Sequence, residues 1–156
     1  MTMTLTKEEV ERRVSLIKRL KATLAQQREK FRSYLKVLDA EQASIKDQAV
    51  ETLKVQVELE EELMVDIHAI QKVIDPLEDV LRQSYREHED DEVVDLRSTL
   101  ETLKGQVQEK SRENRGLLSR SMAAVEGEIV RLRPQVRGRN PYAGTRASTS
   151  LVDITT

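Results

Sequence analysis

The two histidines, His68 and His88, are the side chains of this sequence that could exchange a proton or bind a metal near neutral pH. A carboxylate-bridged metal centre in a helical bundle places Glu three residues before such a histidine, on the same helical face. Here those places are held by Val65 and Tyr85. The His-Glu-x-x-His zinc pattern is also absent, and there is no cysteine to supply a thiolate or a disulfide. The acidic triplet Glu60, Glu61 and Glu62 reads as the solvated face of a helix. No Gly-rich phosphate loop, G-x-S-x-G elbow or EF-hand spacing occurs. With no convergent catalytic set, the expectation is a protein that is not an enzyme and holds no metal or cofactor.

The elements that would have to position any site are helices. The chain has 156 residues, enough for one domain of about 100 to 200. Its aromatics are only Phe31, Tyr34, Tyr85 and Tyr142, and charged residues make up 35%, against roughly 25% in typical soluble domains. Over a periodic apolar pattern, that excess points to long solvated helices rather than a thick core. The absence of Cys is compatible with a reducing compartment. The start "MTMTLTKEEVERR" lacks the apolar stretch of a signal peptide, and no window offers the 18 or so apolar residues of a membrane span. A cytoplasmic protein without membrane insertion is expected.

The net charge of −2 hides a local asymmetry. "EHEDDE" from Glu87 is acidic, whereas Arg131, Arg133, Arg137, Arg139 and Arg146 follow one another with no intervening acid. The acids suit a loop entering a helix N-terminus, where the macrodipole favours negative charge, and the arginines suit a helix C-terminus and a solvated tail. A nucleic-acid surface would need a broader basic face with stacking aromatics, and only Tyr142 lies among these arginines. No nucleic-acid partner is expected.

Thr6 followed by Glu9 fits the T-x-x-E capping box and starts a first helix near Lys7. Val10, Val14, Ile17, Leu24, Phe31, Leu35 and Leu38, widened by Leu20, keep the helical period. The stripe weakens after Leu38, which predicts a turn within 41–47 and a second helix from about Gln48. That helix carries Leu63, Ile67, Ile70, Ile74, Leu77 and Leu81, stepping alternately by four and three in the manner of a coiled-coil seam. Pro76 interrupts its hydrogen bonding but not its phase. A kinked continuous helix and a restart capped by Asp75 both satisfy the pattern. After the acidic loop, Val93, Leu96, Leu100, Leu103 and Val107 begin a third helix that should end before or near Pro134; beyond it the sequence loses its period.

Three long helices with short connections shield their stripes by lying antiparallel. The fold class expected is therefore all-α: three long antiparallel helices, a coiled-coil-like bundle spanning residues 1–133, followed by a disordered basic tail, 134–156. A homodimeric coiled coil competes with it, although charge at Lys21 and Arg28 argues against a tightly closed seam there. A monomer or weak homodimer is expected.

The end of the third helix, "NRGLLSRSMAAVEGEIVRLR", carries Leu118, Met122, Val125, Ile129 and Leu132 on one narrow face. Gly105, Gly116 and Gly127 repeat every eleven residues on roughly the opposite face, each costing about 1 kcal/mol of helix stability relative to Ala. Periodicity supports two readings of the apolar face: the end of the bundle core, or a docking groove for an amphipathic partner helix.

Asn114 with Leu117 and Leu118, the stripe Val125, Ile129 and Leu132, and a downstream Tyr142-Ala-Gly144 together resemble the third-helix signature of the FlgN family, the flagellar type III export chaperones. "QKVIDPLEDVLRQSY", "NPYAG" and "SLVDI" are similar to its spirochaete branch. The resemblance implies a cytoplasmic chaperone that consumes no ATP, binds the C-terminal helices of the hook-filament junction proteins FlgK and FlgL, and delivers them to the export gate protein FlhA. It implies that Asn114, Leu117, Leu118, Met122, Val125, Ile129 and Leu132 bind cargo and that Tyr142, beyond the spacer "RPQVRGRN", docks at the gate. A structural or adaptor coiled coil without cargo is the alternative.

Overall fold

The computed structural model of the chain describes residues 4–84 and 90–139, of which 134–139 by backbone alone. It contains three helices, α1 (Lys7–Lys46), α2 (Val50–Ser84) and α3 (Asp91–Arg139), and no strand among the described residues. The all-α class read from the periodicity is the fold found.

Helix α1 starts at the expected capping box. The backbone N–H of Glu9 donates to Thr6 Oγ1 at 3.2 Å, and that of Thr6 donates to a Glu9 carboxylate oxygen at 2.8 Å. Its end differs from expectation: no turn falls at 41–46, and α1 continues to Lys46. The apolar stripe weakens there because the buried positions become Glu41 and Ser44, with Ile45. The turn occupies 47–49. Gln48 adopts φ 56°, the Ala49 N–H reaches the Ser44 carbonyl at 2.9 Å, and the Gln48 N–H reaches Ile45 at 3.2 Å. This pair of bonds is the Schellman closure usually built on glycine.

Helix α2 runs unbroken through Pro76, which settles the choice left by the sequence in favour of one continuous helix. Ile74 and Leu77, on either side of the proline, are buried in the core, and this packing offsets the missing backbone hydrogen bond. At the head of α3 Asp90 acts as the cap, its Oδ1 accepting from the N–H of Glu92 at 2.9 Å and of Val93 at 3.3 Å. The acidic run thus supplies a helix N-terminus as expected, while Glu87, His88 and Glu89 lie outside the described residues. At its other end α3 passes the expected stop near Pro134 and reaches Arg139. From residue 140 the tail lies outside the described residues.

The chain divides into two units, Met1–Arg115 and Gly116–Thr156. In the first, close backbone approach is concentrated between α1 and α2. Contacts at Gln27–Gln71 and Lys30–Asp66 show that these two helices are antiparallel. Lys21 meets Asp90 at 3.0 Å and Asp39 meets Lys110 at 3.0 Å, so within this unit α3 runs parallel to α1 and hence antiparallel to α2. The core joins Leu20, Leu24 and Phe31 of α1 to Ile70, Ile74 and Leu77 of α2 and to Val93, Leu100 and Leu103 of α3. Two seam positions expected in it, Val10 and Val14, are exposed. Conversely Gln27 is buried, because its amide donates to Gln71 Oε1 at 2.9 Å and to the Ile67 carbonyl.

Candidate functional site

The second unit holds the apolar stripe of α3. Leu118, Met122, Val125, Ile129 and Leu132 are all exposed, from 36% at Leu118 to 57% at Met122, and Leu117 is half-buried. In the first unit, α3 keeps the same spacing at Val93, Leu100 and Leu103, yet those three are buried. Periodicity is therefore equal on the two stretches and burial is not. The charged residues beside the stripe, Glu126, Glu128, Arg131 and Arg133, form no ion pair with a described residue, whereas Lys104–Glu101 and Arg112–Glu109 on the same helix do. Gly105 and Gly127 face open space: a Cβ added at either would meet nothing within 4 Å.

Asn114 stands apart from the six apolar residues. It belongs to the first unit and is 1% exposed. Its Nδ2 donates to the Leu38 carbonyl at 2.9 Å and to Glu41 Oε1 at 3.3 Å. Sequence reasoning missed the surroundings of this contact. Tyr34 is buried beside Ser111 of α3, and Lys110 pairs with Asp39, so here α3 meets α1 through polar groups rather than an apolar seam. Burial pushes the Glu41 carboxyl above the usual carboxylate range, against the opposing pull of the Asn114 hydrogen bond. Burial likewise raises the Tyr34 hydroxyl, helped by the nearby Glu41 charge. Tyr142 lies outside the described residues.

Among the described residues no group of three His, Cys, Asp or Glu side chains is placed to hold a metal ion, and no helix is long and apolar enough to cross a membrane. His68 is exposed, and of the acidic triplet Glu61 and Glu62 are exposed while Glu60 is half-buried. What the arrangement offers is a row of apolar side chains, one or two turns apart, on a helix face in contact with water: the anchor pattern of helix-in-groove recognition.

Comparison with known proteins shows which family the chain resembles along its length. An uncharacterized protein of Treponema pallidum (strain Nichols) is 37% identical over 147 residues, covering 94% of each chain. No solved structure matches. The family described as FlgN protein matches residues 3–148, and with the match covering nearly the whole three-helix chain, the protein belongs to the FlgN family of flagellar export chaperones.

Proposed function

We propose that the exposed stripe of α3 is the cargo-binding face of this chaperone, and that its cargo is the amphipathic C-terminal helix of the hook-filament junction proteins FlgK and FlgL. The observation that carries this reading is the exposure of Leu118, Met122, Val125, Ile129 and Leu132 on one helical face. A set of large apolar side chains held in water at helical spacing is a standing cost that a partner helix removes. Each side chain contributes about 1.5 to 3 kcal/mol when fully buried, and association consumes roughly 4 to 15 kcal/mol of the sum. The balance is reversible binding, as a carrier that must release its cargo requires. Met122, unbranched and polarizable, lets the face accept more than one partner sequence.

In this reading Leu117 extends the stripe at its half-buried edge, while Asn114 acts at one remove by fastening α3 to α1. Covering the junction protein's helix prevents premature assembly, and handing it to the gate protein FlhA, with Tyr142 as the docking residue, completes delivery. No covalent step is needed.

The test is co-purification of the full chain with the C-terminal helix of a junction protein. The double variant Leu118→Asp with Val125→Asp is expected to abolish capture while far-UV circular dichroism stays near that of the parent, because both side chains are already solvent-exposed. Retained capture by the double variant sinks the site assignment. Light scattering supplies the second arm: a stable dimer that the same double variant dissociates favours an adaptor coiled coil using this stripe for itself.

A further inference from the structure

The contact between Asn114 and Glu41 contains more acceptors than donors. The Leu38 carbonyl can only accept a hydrogen bond, so the amide of Asn114 must turn its nitrogen toward it. One hydrogen of that nitrogen goes to Leu38 and the other to Glu41 Oε1. Asn114 Oδ1 and Glu41 Oε2 are then both buried without a partner. Neither can relieve the other, since an amide oxygen and a carboxylate oxygen are both acceptors.

A single proton resolves the conflict. Placed on Glu41 Oε2, it converts that oxygen into a donor for Asn114 Oδ1 while Oε1 keeps its bond from Nδ2. Acid and amide then face each other through two antiparallel hydrogen bonds, and both oxygens are satisfied. We propose that Glu41 and Asn114 form a carboxylic acid–amide latch between α1 and α3, held by two hydrogen bonds when Glu41 carries a proton and by the Asn114 Nδ2 bond alone when it ionises.

The charged and titratable neighbours leave this assignment intact. On α1 these are Tyr34, buried beside Ser111, and Asp39, already paired with Lys110 of α3. Arg115 of α3 is exposed, and no ion pair to Glu41 exists among the described residues. The antiparallel register set by Lys30 and Asp66 brings Gln56 of α2 about level with Glu41, with Glu60 one turn along. Each has a side-chain oxygen that is buried without a partner, and neither is a cation. Removal from water is the largest influence on the Glu41 carboxyl, and it favours the protonated form.

Because the carboxyl is raised in the folded chain, its contribution to stability is fully present below the ordinary glutamate range and is lost as pH rises through the folded value. Two measurements on the full-length chain test it. Carboxyl carbon NMR of the parent protein should show Glu41 titrating above the range of an exposed glutamate. In urea unfolding, the parent's midpoint should fall relative to that of Glu41→Gln as pH rises through that titration, because the Gln amide replaces the acid O–H as donor at every pH. A Glu41 that titrates at or below the ordinary range overturns the latch without recourse to any variant, and so does a Glu41→Gln protein whose midpoint tracks the parent's at all pH values.

Discussion

Lys21 on α1 and Asp90 at the head of α3 meet at 3.0 Å through Asp90 Oδ2, while Asp90 Oδ1 accepts the first free N–H groups of α3. One carboxylate therefore caps a helix and fastens that cap to its neighbour. Lys21 reaches Glu92 as well, at 3.2 Å. The lysine whose charge interrupts the apolar seam of α1 is thus the group that the acidic entry to α3 neutralises.

The Lys21 hydrogen bond, the largest influence, holds Asp90 below the ordinary aspartate range. A depressed carboxyl contributes stability that is present above the unfolded-state pKa and lost as pH falls through the folded value. Asp90→Asn keeps a side-chain oxygen for the cap and removes the charge. The parent should therefore exceed this variant in urea midpoint at neutral pH, with the gap closing as the solution is acidified below the aspartate range. A gap that persists at the acid end would assign the effect to cap geometry alone.

Gln48 sits in the left-handed region at φ 56°, where a Cβ costs about 1 to 2 kcal/mol and glycine costs nothing sterically. Part of that is offset by the greater freedom glycine gives the unfolded chain. Gln48→Gly should stabilise the protein by about 0.5 to 1 kcal/mol, seen as a higher urea midpoint at unchanged slope. Loss of stability would mean that the Gln48 side chain contributes more than its backbone strain costs.

This turn also shows where the sequence ceases to be legible. The capping box at Thr6 and Glu9, the seams of α2 from Ile67 onward and of early α3, and the acidic helix start are local patterns, and each is found in place. The end of α1 is not local: Glu41 and Ser44 are buried, and Glu41 meets Asn114, 73 residues later in the chain. A glycine-free Schellman turn gives no compositional signal either. At Pro76 the phase of the stripe was the better guide than the proline, since burial of Ile74 and Leu77 holds the helix together. For the candidate site, spacing located the stripe but could not separate Leu100 from Leu118, which differ in burial and not in pattern.

That difference is measurable. Leu24 on α1 is 2% exposed and Ile129 on the stripe is 47% exposed. Leu24→Ala creates a cavity in a packed core and should cost about 2 to 5 kcal/mol. Ile129→Ala removes a side chain already in water and should stay within about 0.5 kcal/mol in the free protein, while weakening capture of the partner helix. Equal losses from both variants in the absence of partner would show that the stripe is packed in solution.

The glycines of α3 allow the stiffness of the helix to be changed without touching its apolar face. A methyl group at Gly105 or Gly127 meets nothing within 4 Å, and at Gly116 its nearest neighbour is the mobile end of Arg120 at 3.9 Å. None has a positive φ, so alanine fits each backbone without strain. Each Gly→Ala change should then stabilise the helix by about 0.5 to 1 kcal/mol. At Gly127, amide exchange along residues 122–132 should slow in proportion. Because that glycine lies roughly opposite Val125 and Ile129, the substitution leaves the proposed contact surface intact, and any effect on partner binding reports on flexibility alone. Weaker or slower capture by Gly127→Ala, at raised helix stability, would show that the helix bends to take its cargo; unchanged capture would show that it binds as a rigid strip.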